Sequence, residues 1–244
     1  MSEQIKNSFD EKSPGRTQHV FERFKLNQRW EHGLLMLSFT VLLLTGLPQR
    51  YRETTWSQQI LATPEQVAQI QTIHHIAAVV LILEVIYHLG TAIFQMARRR
   101  LSADIFVSWQ DVRDAAQMVS YLLFLRKEKP KFGKYSFEEK VTYWFIFIGV
   151  GIMVISGIIL WFPETITRVF PGSIIPASKM AHSTEAVVAA IFIIIWHFFH
   201  VHLQRLNLSI FTGSINEEDM QAYHTLEYEK LTGEKVGQGE GRQK

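Results

Sequence analysis

AHSTEAVVAAIFIIIWHFFHVHL, residues 181–203, places four of the chain's ten histidines at the two ends of an apolar run. His182 precedes the run, 186–195, and His197, His200 and His202 follow it. The stretch is long enough to cross a bilayer, because a hydrocarbon core of about 30 Å takes roughly 20 helical residues. Histidine at or near that depth is costly without a partner, so each one is a functional hypothesis whose partner has to be named.

Spacing names a candidate. His182 and His197 are fifteen positions apart, which on an α-helix is a rise of about 22 Å and roughly four turns plus 60°. Both rings can therefore face about the same side of one helix, one near each membrane surface. A second stretch, IHHIAAVVLILEVIYHLGTAIFQM (73–96), repeats the pattern with His74 and His88 fourteen apart. That spacing corresponds to about 21 Å and roughly 40° short of four turns. Two histidine pairs at matching depths on two helices make a frame for two stacked haems in a bundle core.

Composition narrows the chemistry. The chain has 244 residues, no cysteine and seven prolines, and its mean hydropathy of +0.04 hides a sharp segregation of apolar from charged blocks. Without cysteine there are no disulfides, no thiolate-held iron–sulfur or zinc sites, and no covalent c-type haem attachment by this chain. Any haem is held by imidazole and packing. The N-terminus, MSEQIKNSFDEKSPGRTQ, lacks a basic start followed by an apolar core and small-residue cleavage site. No removable signal peptide is expected, and the first apolar helix directs insertion.

The sequence predicts an all-α integral membrane protein. A flexible arm (1–28) leads into a four-span haem-binding bundle (29–206), with spans at about 30–47, 73–96, 141–161 and 181–203, and a polar tail (207–244) follows. The first span ends at Pro48, and 48–72 reads as a polar loop. The third carries neither histidine nor charge; its Gly149, Gly151, Ser156 and Gly157 point to close packing and a structural role. Between spans two and three the chain is too charged to cross. There Trp109, Val112, Ala115, Ala116, Val119, Leu122 and Leu123 recur at helical spacing, as in a cytoplasmic amphipathic helix on the membrane or a partner, or simply a solvent-facing helix. The segment GSINEEDMQAYHTLEYEKL reads as a small acidic helix.

Lysine and arginine orient the bundle. Residues 1–31 carry six, 97–140 ten and 203–244 five, whereas 48–72 and 162–180 carry two each. Both termini are expected in the cytoplasm. His74 and His182 then lie toward the outer face, and His32, His88 and His197 toward the inner one.

Several stretches resemble the membrane cytochrome b subunits of formate dehydrogenases and nickel–iron hydrogenases, in the branch found beside multihaem cytochromes c. They are RWEHGLLMLSFTVLLLTGLP (29–48), IHHIAAVVLILEVIYHL (73–89), PASKMAHSTEAVVAAIFIIIWHFFHVHL (176–203) and LNLSIFTGSINEEDM (206–220). The resemblance covers residues 20–225. It implies two b haems ligated by one histidine of the first span, one of the second and two of the fourth. On this chain those are His32, His74, His182 and His197, pairing His74 with His182 outside and His32 with His197 inside. Two features depart from the family. The fourth-span spacing is fifteen where the family has fourteen, with His200 and His202 just beyond as rival ligands. His88 also gives the second span a second histidine, as in cytochrome b of quinol–cytochrome c reductases, so His32 and His88 compete for the inner iron. A third haem on the remaining histidines stays open.

The other polar groups have readings of their own. Glu84, near the middle of span two, is a candidate for proton movement linked to quinone chemistry or a protonated structural residue. Glu185, one turn after His182, is a candidate acceptor for a ligand ring N–H or an interface residue. His75 is expected to face a loop or a haem propionate, and His19 and His224 to be solvated.

The expected function is a dihaem b cytochrome in the inner (cytoplasmic) membrane, the electron-transfer subunit of a respiratory oxidoreductase complex. It would exchange electrons between a quinone, as exchangeable substrate at the cytoplasmic-side haem, and a periplasmic multihaem cytochrome c or iron–sulfur subunit. Nucleic acid is not among the expected partners. The alternative is a membrane anchor or assembly subunit whose histidines hold a non-haem metal or are structural.

Overall fold

The computed structural model describes residues 19–99, 103–128, 130–203 and 207–236. In chain order the elements are β1 (Val20–Glu22), α1 (Leu26–Arg50), α2 (Thr55–Ile60), α3 (Pro64–Ala97), a short 3-10 turn (Ala103–Ile105), α4 (Trp109–Leu122), α5 (Phe137–Trp161), α6 (Pro163–Ile166), α7 (Ile174–Phe192) running on as a π-helix (Ile193–Leu203), α8 (Ser209–Thr212), β2 (Ser214–Asn216), α9 (Glu217–Tyr223) and α10 (Thr225–Thr232). The chain divides into two compact units. One holds Asn27–Leu101 and Phe145–Asn207, the other Met1–Leu26, Ser102–Trp144 and Leu208–Lys244.

Four helices are long and apolar enough to cross a membrane: Leu26–Arg50, Pro64–Ala97, Phe137–Trp161 and Ile174–Phe199. No more than 17% of any span's apolar window is buried inside the protein, so most of their aliphatic side chains face outward. Lipid is the solvent that accommodates such a surface, and a helix satisfies its backbone there without help. The chain is a multi-pass membrane protein.

The spans exceed the apolar runs because polar caps lie outside them. α3 starts nine residues before Ile73: Thr63 Oγ1 accepts from Gln66 N (3.3 Å), Gln66 Oε1 accepts from Thr63 N (3.1 Å), and Pro64 takes the first helical position. Most of the stretch read as a polar loop is therefore helical. α1 continues through Pro48 to Arg50. Proline this close to a C-terminus removes a single N–H bond, and the last turn is held by Tyr51 N donating to Leu47 O (3.0 Å). α5 opens on Ser136, whose Oγ accepts from Glu139 N (3.2 Å) while Glu139 Oε2 accepts from Ser136 N (2.9 Å).

The second unit has a small core of Phe21, Ile215, Met220 and Tyr228. β1 and β2 pair antiparallel, with Val20 opposite Asn216, Phe21 opposite Ile215 and Glu22 opposite Ser214. Gly213, at φ 84°, ends α8 and turns the chain into β2. Tyr228 meets Phe21 edge-on at 5.8 Å and donates from its hydroxyl to Glu217 Oε1 (2.7 Å). His224, expected to be solvated, is 3% exposed, with Nδ1 3.2 Å from Gly133 O. The tail segment forms β2 and two helices broken at His224, in place of one acidic helix. Arg23 bonds Lys134 O (2.5 Å) and Glu139 Oε1 (3.1 Å).

In α4 the buried residues are Asp111 and Met118, whereas Trp109, Val112, Val119 and Leu122 are exposed. Lys140 Nζ lies 2.8 Å from Asp111 Oδ1. Burial pushes the Asp111 carboxyl up, but hydrogen bonds from Lys140 and Ser108 outweigh it and hold the group below its usual range.

Candidate functional site

Within the span unit, the four histidines named by the family resemblance meet in two pairs. The ring centroids of His74 and His182 are 6.4 Å apart with planes inclined at 66°. Those of His32 and His197 are 6.2 Å apart at 44°. Imidazole bound to a metal has a metal–nitrogen bond of about 2 Å, so two rings trans on one atom have centroids about 6.3 Å apart. Both pairs match that spacing. Each supplies two donors, which suits a metal carrying its other four, as haem iron does. Among the described residues no three histidine, aspartate or glutamate side chains converge as a metal cluster.

The His74–His182 pair is cradled from both sides. His74 Nδ1 lies 2.8 Å from Thr45 Oγ1 on α1, and His182 Nδ1 lies 3.1 Å from Ser156 Oγ on α5. The next residue on each helix is glycine, and the ring packs on it. A Cβ at Gly46 would lie 3.4 Å from His74 Cε1, and one at Gly157 would lie 3.2 Å from His182 Cε1. At Gly157 a side chain would press on the ring, whereas at Gly46 it would meet the ring at ordinary van der Waals distance. The sequence makes Glu185 a candidate acceptor for the His182 ring N–H; at Nδ1 the structure places Ser156, and the Glu185 carboxylate lies against Gly149, where a Cβ would meet Oε1 at 2.5 Å.

His88 is placed differently. Its Nδ1 lies 2.8 Å from Glu31 Oε2, so it braces α3 to α1 one residue before His32. Glu84, one turn earlier on α3, is 9% exposed, and its Oε2 has no hydrogen-bond partner among the described residues. Glu31 and His88 are its titratable neighbours. His75 stacks on Trp161 at 4.2 Å and 10°. His19 is exposed. The helix backbone continues through His200 and His202, whose side chains lie outside the described ones.

The fifteen-residue spacing of the fourth span has a structural counterpart. From Ile193 the helix is π, with a turn of roughly 4.4 residues. Five steps from Phe192 to His197 then rotate about 90° less than five α steps, moving His197 from about 60° beyond four turns to about 30° short. A fourteen-residue α spacing gives about 40° short. The π segment absorbs the extra residue and returns His197 to the side of His182.

Sequence reasoning missed Thr45 and assigned Ser156 to packing alone. The available signal was a hydroxyl followed by glycine, Thr45-Gly46 in span one and Ser156-Gly157 in span three, at the depth of the outer histidines.

Comparison with known proteins gives concordant results. A family described as prokaryotic cytochrome b561 matches residues 103–213. The chain is 25% identical over 178 residues to the formate dehydrogenase cytochrome b556(fdo) subunit of Escherichia coli K12, covering 72% of this chain and 76% of that one. The same subunit from Escherichia coli O157:H7 gives the same identity and coverage. With its four candidate spans and these similarities, the chain is similar to the membrane cytochrome b proteins represented by the formate dehydrogenase subunit.

Proposed function

We propose that the chain is a dihaem b-type subunit passing electrons across the inner membrane between a quinone pool and a periplasmic redox partner. The observation that carries this is the pair of 6.4 and 6.2 Å histidine contacts. In the proposed orientation both termini are cytoplasmic, as the lysine and arginine count favours. His74 and His182 then hold the outer haem, and His32 and His197 the inner one. Held by these histidine pairs, haem b would supply a reversible one-electron iron couple suited to electron transfer.

The residues around the inner pair fit quinone chemistry, which moves protons as well as electrons. Glu84, buried near Glu31 and His88, is the proposed proton-carrying group at a quinone site on the cytoplasmic side. Glu84→Gln is expected to keep two haems and to slow quinol-driven haem reduction by roughly 10²-fold. An unchanged rate in stopped-flow reduction by a quinol would remove Glu84 from this role. The partner is proposed to be a periplasmic multihaem cytochrome c or iron–sulfur subunit, by analogy with a relative that is itself a subunit of a dehydrogenase.

The test is haem per polypeptide by pyridine haemochrome on detergent-purified protein, with a reduced-minus-oxidised spectrum. Two b haems are expected; none, with ample haem supply, would bring forward an anchor with structural histidines. The same assay decides between the inner candidates. His32→Ala is expected to retain one haem and His88→Ala two, because the His88 ring is engaged with Glu31 and His32 faces His197. The reverse result would move the inner ligand to His88.

A further inference from the structure

Thr45 and Ser156 stand in the same relation to the two outer histidines, on different helices. Thr45 Oγ1 donates to Val41 O at 2.7 Å. Ser156 Oγ donates to Ile152 O at 2.6 Å. Each hydroxyl has one proton, and in both it is spent on the carbonyl four residues earlier. Only oxygen lone pairs remain to face His74 Nδ1 at 2.8 Å and His182 Nδ1 at 3.1 Å. A hydrogen bond across those gaps therefore requires the imidazole to donate.

We propose that Thr45 and Ser156 are positioning residues that fix His74 and His182 as Nδ1–H tautomers, presenting both Nε2 lone pairs to a single iron. The inference rests on the haem-ligand reading above and adds to it a device in this chain's own residues. An iron–Nε2 bond then forms on a lone pair already in place, and no proton has to leave either ring. Gly157 adds to the lock, since a Cβ there would press on the His182 ring at 3.2 Å. An imidazole whose N–H is held by an oxygen is a stronger donor to iron and favours the oxidised state.

Thr45→Val keeps the shape and removes the acceptor, and Ser156→Ala does so from the other helix. In each variant two haems are expected, with the potential of the outer haem raised and its EPR g-values changed as the ring rotates from 66°. Haem loss to apomyoglobin from that site is expected to be ten- to hundredfold greater, the usual cost of removing such a partner, roughly 10–100-fold in affinity. The inner haem is expected to keep its potential and spectrum. Thr45→Ser, which restores the oxygen, is expected to return the outer haem to its original values. Should Thr45→Val fail to accumulate, Ser156→Ala carries the test. Two haems with outer potential and EPR signal unchanged overturn the positioning role while leaving the ligands intact. A wild-type protein without haem overturns the ligand reading itself.

Discussion

Replacing His182 with alanine is expected to lower the haem content from two to one per polypeptide and to leave the inner haem's spectrum and potential intact. In the proposed site His182 and His74 would hold the outer haem from two helices, their ring centroids 6.4 Å apart. Without His182 that haem would be held by His74 alone. The variant should nonetheless fold. Ser156, which faces the deleted ring, donates its proton to its own helix at Ile152 O (2.6 Å), so no buried donor is left unsatisfied, the usual source of a large penalty. Gly157 loses a packing contact only. Electrons from quinol should still reach the inner haem but not a periplasmic acceptor. Imidazole supplied during growth is expected to restore part of the outer haem, which separates lost ligation from a damaged bundle. Retention of both haems in the purified variant would refute the pairing of His182 with His74.

Legibility in the sequence followed the range of the interactions. Four apolar runs interrupted by charge mark four spans, because crossing hydrocarbon demands length and composition that nothing else imitates. Their starts were less visible. The α3 capping box at Thr63 and Gln66 uses polar residues that hydropathy reads as loop, although a Thr-Pro-x-Gln pattern (63–66) was there to be seen. Histidine spacing and the family resemblance together named both pairs, yet spacing alone left His32 and His88 level. In the structure His32 faces His197 and His88 engages Glu31 at 2.8 Å, and a contact between residues 57 positions apart has no local signature. The same holds for β1 and β2. Three-residue strands carry no period worth reading, and their pairing joins Phe21 to Ile215 across nearly the whole chain. His224 looked solvated because its neighbours in sequence are polar. Its burial comes from Gly133, 91 positions away.

Under the proposed ligation by His32 and His197, the inner haem should be sensitive to the length of the fourth span. Deleting Ile194 is expected to leave two haems, whereas inserting one alanine after Ile194 is expected to leave one. Fifteen residues separate His182 from His197, and the π-helix from Ile193 takes up the surplus. Removing a residue lets the segment return to α geometry with His197 about 40° short of four turns, close to its present position of about 30° short. A wider turn is rarely stable in isolation, so shortening also relieves a conformation that only packing and ligation sustain. Insertion has no such outlet. A sixteenth residue swings His197 onward by roughly 80–100°, carrying its ring away from His32. His197→Ala is the control, with one haem expected. Pyridine haemochrome on the three variants reads the result directly, and loss of the inner haem on deletion of Ile194 would mean that the π turn itself, and not merely the direction it gives His197, is required for ligation.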